Sequence, residues 1–341
     1  MNILAVTCMR DEAPYCLEWI AHHRAAGFND FLIFTHDCTD GTNAMLDLLP
    51  NVTHVPFQSI DGKSPQWHAM KLADKHPLMK AADWAMFFDC DEFLCLEAPM
   101  RSVSDLIGSV PARTDAIALQ WRLFGSSELI DWSTGPTLER FVMAAPSDLA
   151  LPAGHFFKSL FQPSKFQKLG VHRPKNKKLQ QPNWVLGGVQ PAPKTFVEDD
   201  SRINLFGLVS EPMTAWLNHY STRSVTEFMI KRERGLPNRQ TKEIDISYWA
   251  ERNFNTIEDQ TIRPMIPTTL LALKELQGLD GVKHLLDIGI KTHQGVFENS
   301  MQNRSEIMLF LHLSLLSGSK APTNTGIGRH LARLTNAAKS Y

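Results

Sequence analysis

Five short apolar runs, at 3–7, 31–34, 52–55, 84–88 and 115–120, are separated by stretches with helical spacing or turn residues. Short strands alternating with helices restrict a chain to a mainly parallel sheet covered by helices on both faces. Pro14 suits the first turn of a helix that reaches Ala26 and stops at Gly27, because proline fits a helix start and glycine the position past its end. Asp40-Gly41-Thr42 reads as a turn and cap for a short helix ending near Leu49. The polar loop 61–65 opens a helix carrying Trp67, Met70 and Leu72. The expected fold class is α/β, with a twisted, mainly parallel sheet. In such sheets ligands collect at the carboxyl ends of the strands. Thr7, Asp37 and Asp89 are expected to converge there in one cleft.

The second half is less regular. Residues 145–200 predict hairpins and long loops, and 213–217 predict a strand leading into Asn218-His219-Tyr220. Ser224 begins a helix with Val225, Phe228, Met229 and Arg232 near helical spacing, stopped by Gly235. Residues 245–315 read as helical. From Ser317 onward the chain is rich in Ser, Asn and Thr, with four basic and no acidic residues, and reads as a flexible tail. The expected organisation is a catalytic domain over 1–235, a helical extension over 236–316 and a tail over 317–341.

Charge is balanced, with 35 basic and 36 acidic residues, so no global field favours nucleic acid. A local run from Lys158 to Lys178 holds seven basic and no acidic residues. It reads either as a solvated hairpin or as a positive wall for a diphosphate or an anionic acceptor. The five cysteines form no Cys-x-x-Cys pair, which suits neutral thiols in a reducing compartment. No apolar run approaches the ~18–20 residues a membrane span needs. A cytoplasmic protein is expected, with peripheral membrane association left open.

The chemistry is read from Phe87-Phe88-Asp89-Cys90-Asp91-Glu92-Phe93. Alternation along an extended chain puts Asp89 and Asp91 on one side and sends Cys90 to the other, into the core. Two adjacent carboxylates repel, and a divalent cation with phosphate oxygens in its shell is the usual remedy. Mn²⁺ or Mg²⁺ and a nucleotide-linked substrate are therefore expected. His172 and His219, each at a strand end, are candidates to complete the metal site, since imidazole suits Mn²⁺. Asp37 is a candidate for a base or ribose contact, and the Thr7–Glu12 junction, Arg10 included, for nucleotide contact. His22 and His23 read as structural. Asp131 and Glu211 are candidate catalytic bases by position alone.

These pieces then form an ordered set. Arg10-Asp11-Glu12, Leu17-Glu18-Trp19-Ile20, His23, Gly27-Phe28 and Asp37-x-x-Asp40-Gly41-Thr42 resemble the opening of family 2-like glycosyltransferases with a GT-A fold. Asp89-x-Asp91-Glu92-Phe93 is similar to that family's metal motif. Trp121-x-x-Phe124-Gly125-Ser126-Ser127 and His219-Tyr220-x-x-Arg223-Ser224-x-x-Glu227-Phe228-x-x-Lys231-x-x-Arg234-Gly235 resemble the subgroup related to family 92 glycosyltransferases. The resemblance spans about 1–235. It implies a metal-dependent transfer of sugar from a nucleotide-diphosphate donor to a hydroxyl acceptor, a glycan or surface polysaccharide precursor. It implies donor-base contact near Thr7 and Asp37, diphosphate–metal contact at Asp91, and a late histidine, His219 ahead of His172, completing the metal site. Read from the residues themselves, Arg10, Asp89 and Lys158 are further candidate donor contacts and Asp89 a further metal contact, with an acceptor pocket expected at Trp121 and Phe124. The competing readings are a nucleotidyltransferase, disfavoured because 8–12 lacks a glycine-rich phosphate loop, and an inactive module binding a glycan or a partner.

Overall fold

A computed structural model describes residues 1–60, 62–177, 181–187, 190–208, 213–235 and 244–322, with Gly326 and His330. The first half alternates β1 (Ile3–Met9), α1 (Ala13–Ala25), β2 (Asp30–His36), α2 (Thr42–Leu46), β3 (Val52–Phe57), α3 (Pro65–Ala73), α4 (Pro77–Ala81) and β4 (Trp84–Phe87). Then come β5 (Glu92–Leu96), α5 (Val103–Ser109), β6 (Ala116–Leu123), α6 (Thr137–Arg140), β7 (Met143–Ala144) and β8 (Phe157–Phe161). Next are β9 (Phe166–Lys168), β10 (Lys175–Lys177), β11 (Trp184–Leu186), β12 (Gln190–Pro191), α7 (Lys194–Glu198) and β13 (Ala215–His219). The chain closes with α8 (Val225–Arg234), α9 (Ile246–Ala250), β14 (Ile257–Glu258), α10 (Ile266–Gln277), α11 (Val282–Ser300) and α12 (Arg304–Leu315).

The main sheet runs β12-β11-β6-β8-β4-β1-β2-β3, and β13 joins β6 to β5. The stretch β4-β1-β2-β3 is parallel throughout. Strand β8 enters antiparallel between β4 and β6. Both faces are covered, so the strands bury alternate residues in two different cores. Ile3 and Ala5 of β1 and Trp84 and Met86 of β4 face α1, while Leu4, Val6, Ala85 and Phe87 face the opposite layer. The α/β expectation holds. The short runs at 3–7 and 115–120 extend two or three residues further than their composition suggests, to Met9 and Leu123. Strand β5 escaped sequence reading because Glu92-Phe93-Leu94-Cys95-Leu96 follows the acidic motif without a turn residue to separate them.

Helices α10 and α11, in the expected helical extension, pack onto the first half. Met265, Ala272, Leu276 and Val282 share one core with α1 and β1. One polar link and one close approach reinforce that joint. His293 on α11 lies 3.1 Å from the Asp40 carboxylate, which also caps Thr42 and accepts from the Ala13 backbone. Gly289 sits where a Cβ would fall 2.4 Å from Ala13 Cβ, so α11 approaches α1 too closely for any side chain. The proposed tail is also partly anchored. The Ser317 carbonyl accepts from Ser126, Asn253 and Asn255, while 323–325, 327–329 and 331–341 lie outside the described residues.

His22 is fully buried in this joint, with Nε2 donating to the Leu94 carbonyl at 2.8 Å and Nδ1 3.0 Å from the Thr269 hydroxyl on α10. Burial pushes it down to about 4. The folded form therefore resists a proton that the unfolded chain accepts below pH ~6.5. Stability contributed by His22 is complete above that pH and is lost as pH falls towards about 4. The window corresponds to roughly 3 kcal/mol. Urea unfolding at pH 7 and pH 5 should show the fall, and His22→Gln should flatten it. An unchanged slope in the variant would assign the pH dependence elsewhere.

Candidate functional site

A cavity of about 770 Å³ opens at the carboxyl ends of β1 and β4. Its floor carries Asp89, Cys90 and Asp91, one side carries Cys8, Arg10, His36 and Gln66, and the other carries Trp121, Phe156, His172 and His219. Lys231 and Arg234 from α8 and Tyr248 and Arg252 from the α9 region complete it. The acidic strand tip thus lies in an open cleft, as the sequence predicts. Cys90 also joins the core on the α1 side, but through a turn rather than alternation of an extended chain: β4 stops at Phe87 and the Glu92 N–H donates to the Asp89 carbonyl at 3.0 Å.

Each carboxylate already has an ammonium partner. Asp91 Oδ2 accepts from Lys231 Nζ at 2.7 Å, and its Oδ1 lies 3.5 Å from His219 Nε2. Burial alone would raise Asp91, but Lys231 and His219 hold it well below the usual carboxylate range. Asp89 accepts from Gln66 at 2.9 Å and from Lys158 at 3.0 Å. Lys158 is wholly buried on β8 and also lies 3.5 Å from Glu92. Burial works against the Lys158 charge, yet Asp89 and Glu92 raise it overall. Glu92 is pushed well up by burial, with Lys158 opposing.

Helix α8 delivers its cations through local rules. Ser224 caps the helix with Glu227 in a reciprocal capping box, and Arg140 grips Glu227 with two hydrogen bonds of 2.8 and 2.9 Å. Glu227 is therefore engaged away from Lys231, the residue four positions on, despite the helical spacing that invites such a pair. Lys231 is left for Asp91. Arg234 pairs with Glu12 and donates to the Arg10 and Asp11 carbonyls, while Arg10 donates back to the Arg234 carbonyl at 3.1 Å. Arg223 holds φ +52° and lies 3.6 Å over the Tyr15 ring, bracing the same junction.

Several sequence expectations change here. Lys158 is a buried counter-ion beneath the floor and does not border the cavity. The run around it is hairpin β9–β10 rather than a positive wall. Arg173 is buried over Trp184 and Phe196 and donates to the Phe196 carbonyl, and Lys175 donates to Asp200. Lys178 lies outside the described residues. Thr7 is buried inside β1, two residues short of its end, because the strand is longer than its apolar run suggests. Asp37 is exposed beside the cavity, bonded to His36 at 3.0 Å and to the Ser59 backbone, and His36 borders the cavity instead. Phe124 is buried against Tyr220 in the core, while Trp121 does border the cavity, 4.2 Å from the His219 ring. Asp131 is exposed in the loop before α6, and that loop borders a different, smaller cavity beside α1 and α10. Glu211 lies outside the described residues.

The two candidate histidines differ. His172 donates from Nδ1 to the Phe157 carbonyl, stacks on Phe156, and is pushed down to about 4 by burial and by Lys158. Among the described residues it contacts neither carboxylate. His219 faces Asp91 directly, and its Nδ1 is buried without a partner among the described residues. Two donors bound side by side to an octahedral ion at about 2.1 Å stand about 3 Å apart. The 3.5 Å between Asp91 Oδ1 and His219 Nε2 fits such a pair after a small closure. No group of three or more His, Cys, Asp or Glu gathers to hold an ion among the described residues. The residues fit an open site that substrate oxygens would complete, not a closed protein cage.

Among the described residues, no helix is long and apolar enough to cross a membrane. No curated protein matches this chain. Among solved structures, Rv0371c from Mycobacterium tuberculosis H37Rv is 16% identical over 36% of this chain and 66% of its own, with a TM-score of 0.23. HddC from Yersinia pseudotuberculosis is 8% identical over 56% and 92%, with a TM-score of 0.33. The mannosyltransferase Ktr4p from S. cerevisiae is 10% identical over 37% and 41%, with a TM-score of 0.24. Likenesses of that size bear on neither activity nor substrate. The sequence pattern of glycosyltransferase family 92 matches residues 6–190, which hold both strand-tip carboxylates and, His219 apart, the residues named above on the cavity's two sides. The chain belongs to glycosyltransferase family 92 and is a glycosyltransferase.

Proposed function

We propose that this glycosyltransferase takes its sugar from a nucleotide-diphosphate donor and that the large cavity is where transfer occurs, on a GT-A-like sheet. The observation that carries the reading is Asp91. It is 9% exposed at the floor of an open cavity, ionised, and turns one oxygen to His219. Asp91 and His219 would hold Mn²⁺ or Mg²⁺, with Asp89 beside them. When bound, such an ion offsets the negative charge that develops on a departing diphosphate. Arg10, Lys231 and Arg234 add fixed positive charge on the same side. Gln66, His36 and Cys8 stand at the ends of β1, β2 and α3, where a nucleoside would meet them. Trp121, Phe156 and His172 offer apolar ring faces to a hydroxyl acceptor of glycan type. His172, held neutral with Nδ1 donating to a carbonyl, keeps a lone pair on Nε2 for a hydroxyl proton.

The test is thermal unfolding with UDP and GDP, each with and without Mn²⁺. At one hundred times Kd, binding adds about 2.7 kcal/mol, enough for a rise of several degrees. We expect one nucleotide to raise the midpoint in the presence of the ion and little in its absence. If neither nucleotide shifts the midpoint under either condition, the nucleotide-sugar reading is wrong.

A further inference from the structure

Among the described residues, each carboxylate that borders the large cavity is already matched by a cation. Asp89 is matched by Lys158, Asp91 by Lys231, Glu12 by Arg234 and Glu251 by Arg252. Arg10 adds a further positive charge on the same wall. The cavity therefore offers carboxylate oxygens without a surplus of negative charge. A divalent ion that took Asp91 Oδ1 and His219 would gain a neutral imidazole and a carboxylate whose charge Lys231 has balanced.

Lys231 is held where it stands. Its Nζ donates to Asp91 Oδ2 at 2.7 Å and to the Ser221 carbonyl at 2.9 Å, and it lies 5.8 Å from the centre of the Tyr248 ring. Two of its three N–H groups are thus engaged, and the ring face favours the charge. Its helix is braced on both sides of it, by Glu227 on Arg140 and by Arg234 on Glu12. Lys231 occupies one oxygen of Asp91 and leaves the other, 3.5 Å from His219 Nε2, to a ligand.

We propose that Lys231 denies the Asp91–His219 site to a lone divalent ion and admits the ion only together with a diphosphate. The ammonium and the ion would share one carboxylate, and like charges that close repel strongly. Diphosphate oxygens supply the negative charge that both lack. This rests on the nucleotide-diphosphate reading of the cavity. Ion and nucleotide then raise each other's affinity by the same factor.

The test is Mn²⁺ alone titrated into the full chain, with free Mn²⁺ followed by electron paramagnetic resonance. The native chain and Lys231→Arg, which keeps the charge, should bind it weakly. Lys231→Met should bind it roughly tenfold more tightly or better. Adding Asp91→Asn to Lys231→Met should remove the gain. A lysine that only braces α8 would not produce this pattern. A second comparison uses the native chain: GDP or UDP should tighten Mn²⁺ binding by a similar factor. The inference falls if Lys231→Met binds Mn²⁺ no more tightly than the native chain, or if the native chain binds Mn²⁺ as well without nucleotide as with it. Where Lys231→Met does not fold, the second comparison decides. Failure of the first comparison alone removes only this inference. Absence of stabilisation by either nucleotide with Mn²⁺ removes the nucleotide-sugar reading and the inference with it.

Discussion

Asp91→Asn is expected to lower sugar transfer by about 10³-fold, equivalent to roughly 4 kcal/mol of transition-state stabilisation. Asparagine keeps the shape and can still accept from Lys231, which donates at 2.7 Å in the native protein. What disappears is the negative charge that would balance a divalent ion and Lys231 together. Asp89→Asn should do less, because both Asp89 oxygens are already engaged by Gln66 and Lys158. The measurement is donor turnover for whichever nucleotide sugar passes a hydrolysis screen, with the thermal midpoint recorded alongside. Turnover within about tenfold of the native rate would remove Asp91 from the chemistry.

The second large effect is on stability. Lys158→Met should destabilise the protein by about 3–5 kcal/mol, the usual result of breaking a buried ion pair from one side. Lys158 has no exposed surface, lies on β8 at the centre of the sheet, and is flanked by Asp89 at 3.0 Å and Glu92 at 3.5 Å. Methionine fills much of the volume but leaves Asp89 and the buried Glu92 carboxyl without their ammonium partner. Adding Glu92→Gln to Lys158→Met should recover part of the loss, because the buried carboxyl that lost its partner is then gone. Urea unfolding with an unchanged m-value is the readout. A single-variant loss below about 1 kcal/mol would mean that the lysine is not the floor's counter-ion.

What the sequence disclosed followed from short-range physics. The parallel core, the capped start of α8 at Ser224, the structural role of His22 and His23, and the shared side of Asp89 and Asp91 all depend on periodicity or on neighbours within a few residues. What it concealed depends on pairs far apart in the chain. Lys158 meets Asp89 across 69 positions, Lys231 meets Asp91 across 140, and His293 meets Asp40 across 253. A basic residue in sequence shows its charge but not whether it faces a ligand or neutralises a buried acid. Lys158 and Arg173 belong to a run that reads in sequence either as a solvated hairpin or as a positive wall, and both are internal fasteners. Tyr248, Arg252 and Pro322 carry no local signal, because the cavity recruits them from the C-terminal section.

The joint between α11 and α1 bears on how this enzyme can be recombined with its relatives. The family pattern ends at residue 190, yet Ala13 and Asp40, within it, are fitted to Gly289 and His293, a hundred residues beyond. Grafting another C-terminal section onto this front half would need all four positions exchanged together. The packed unit therefore runs about a hundred residues past the segment that the pattern recognises.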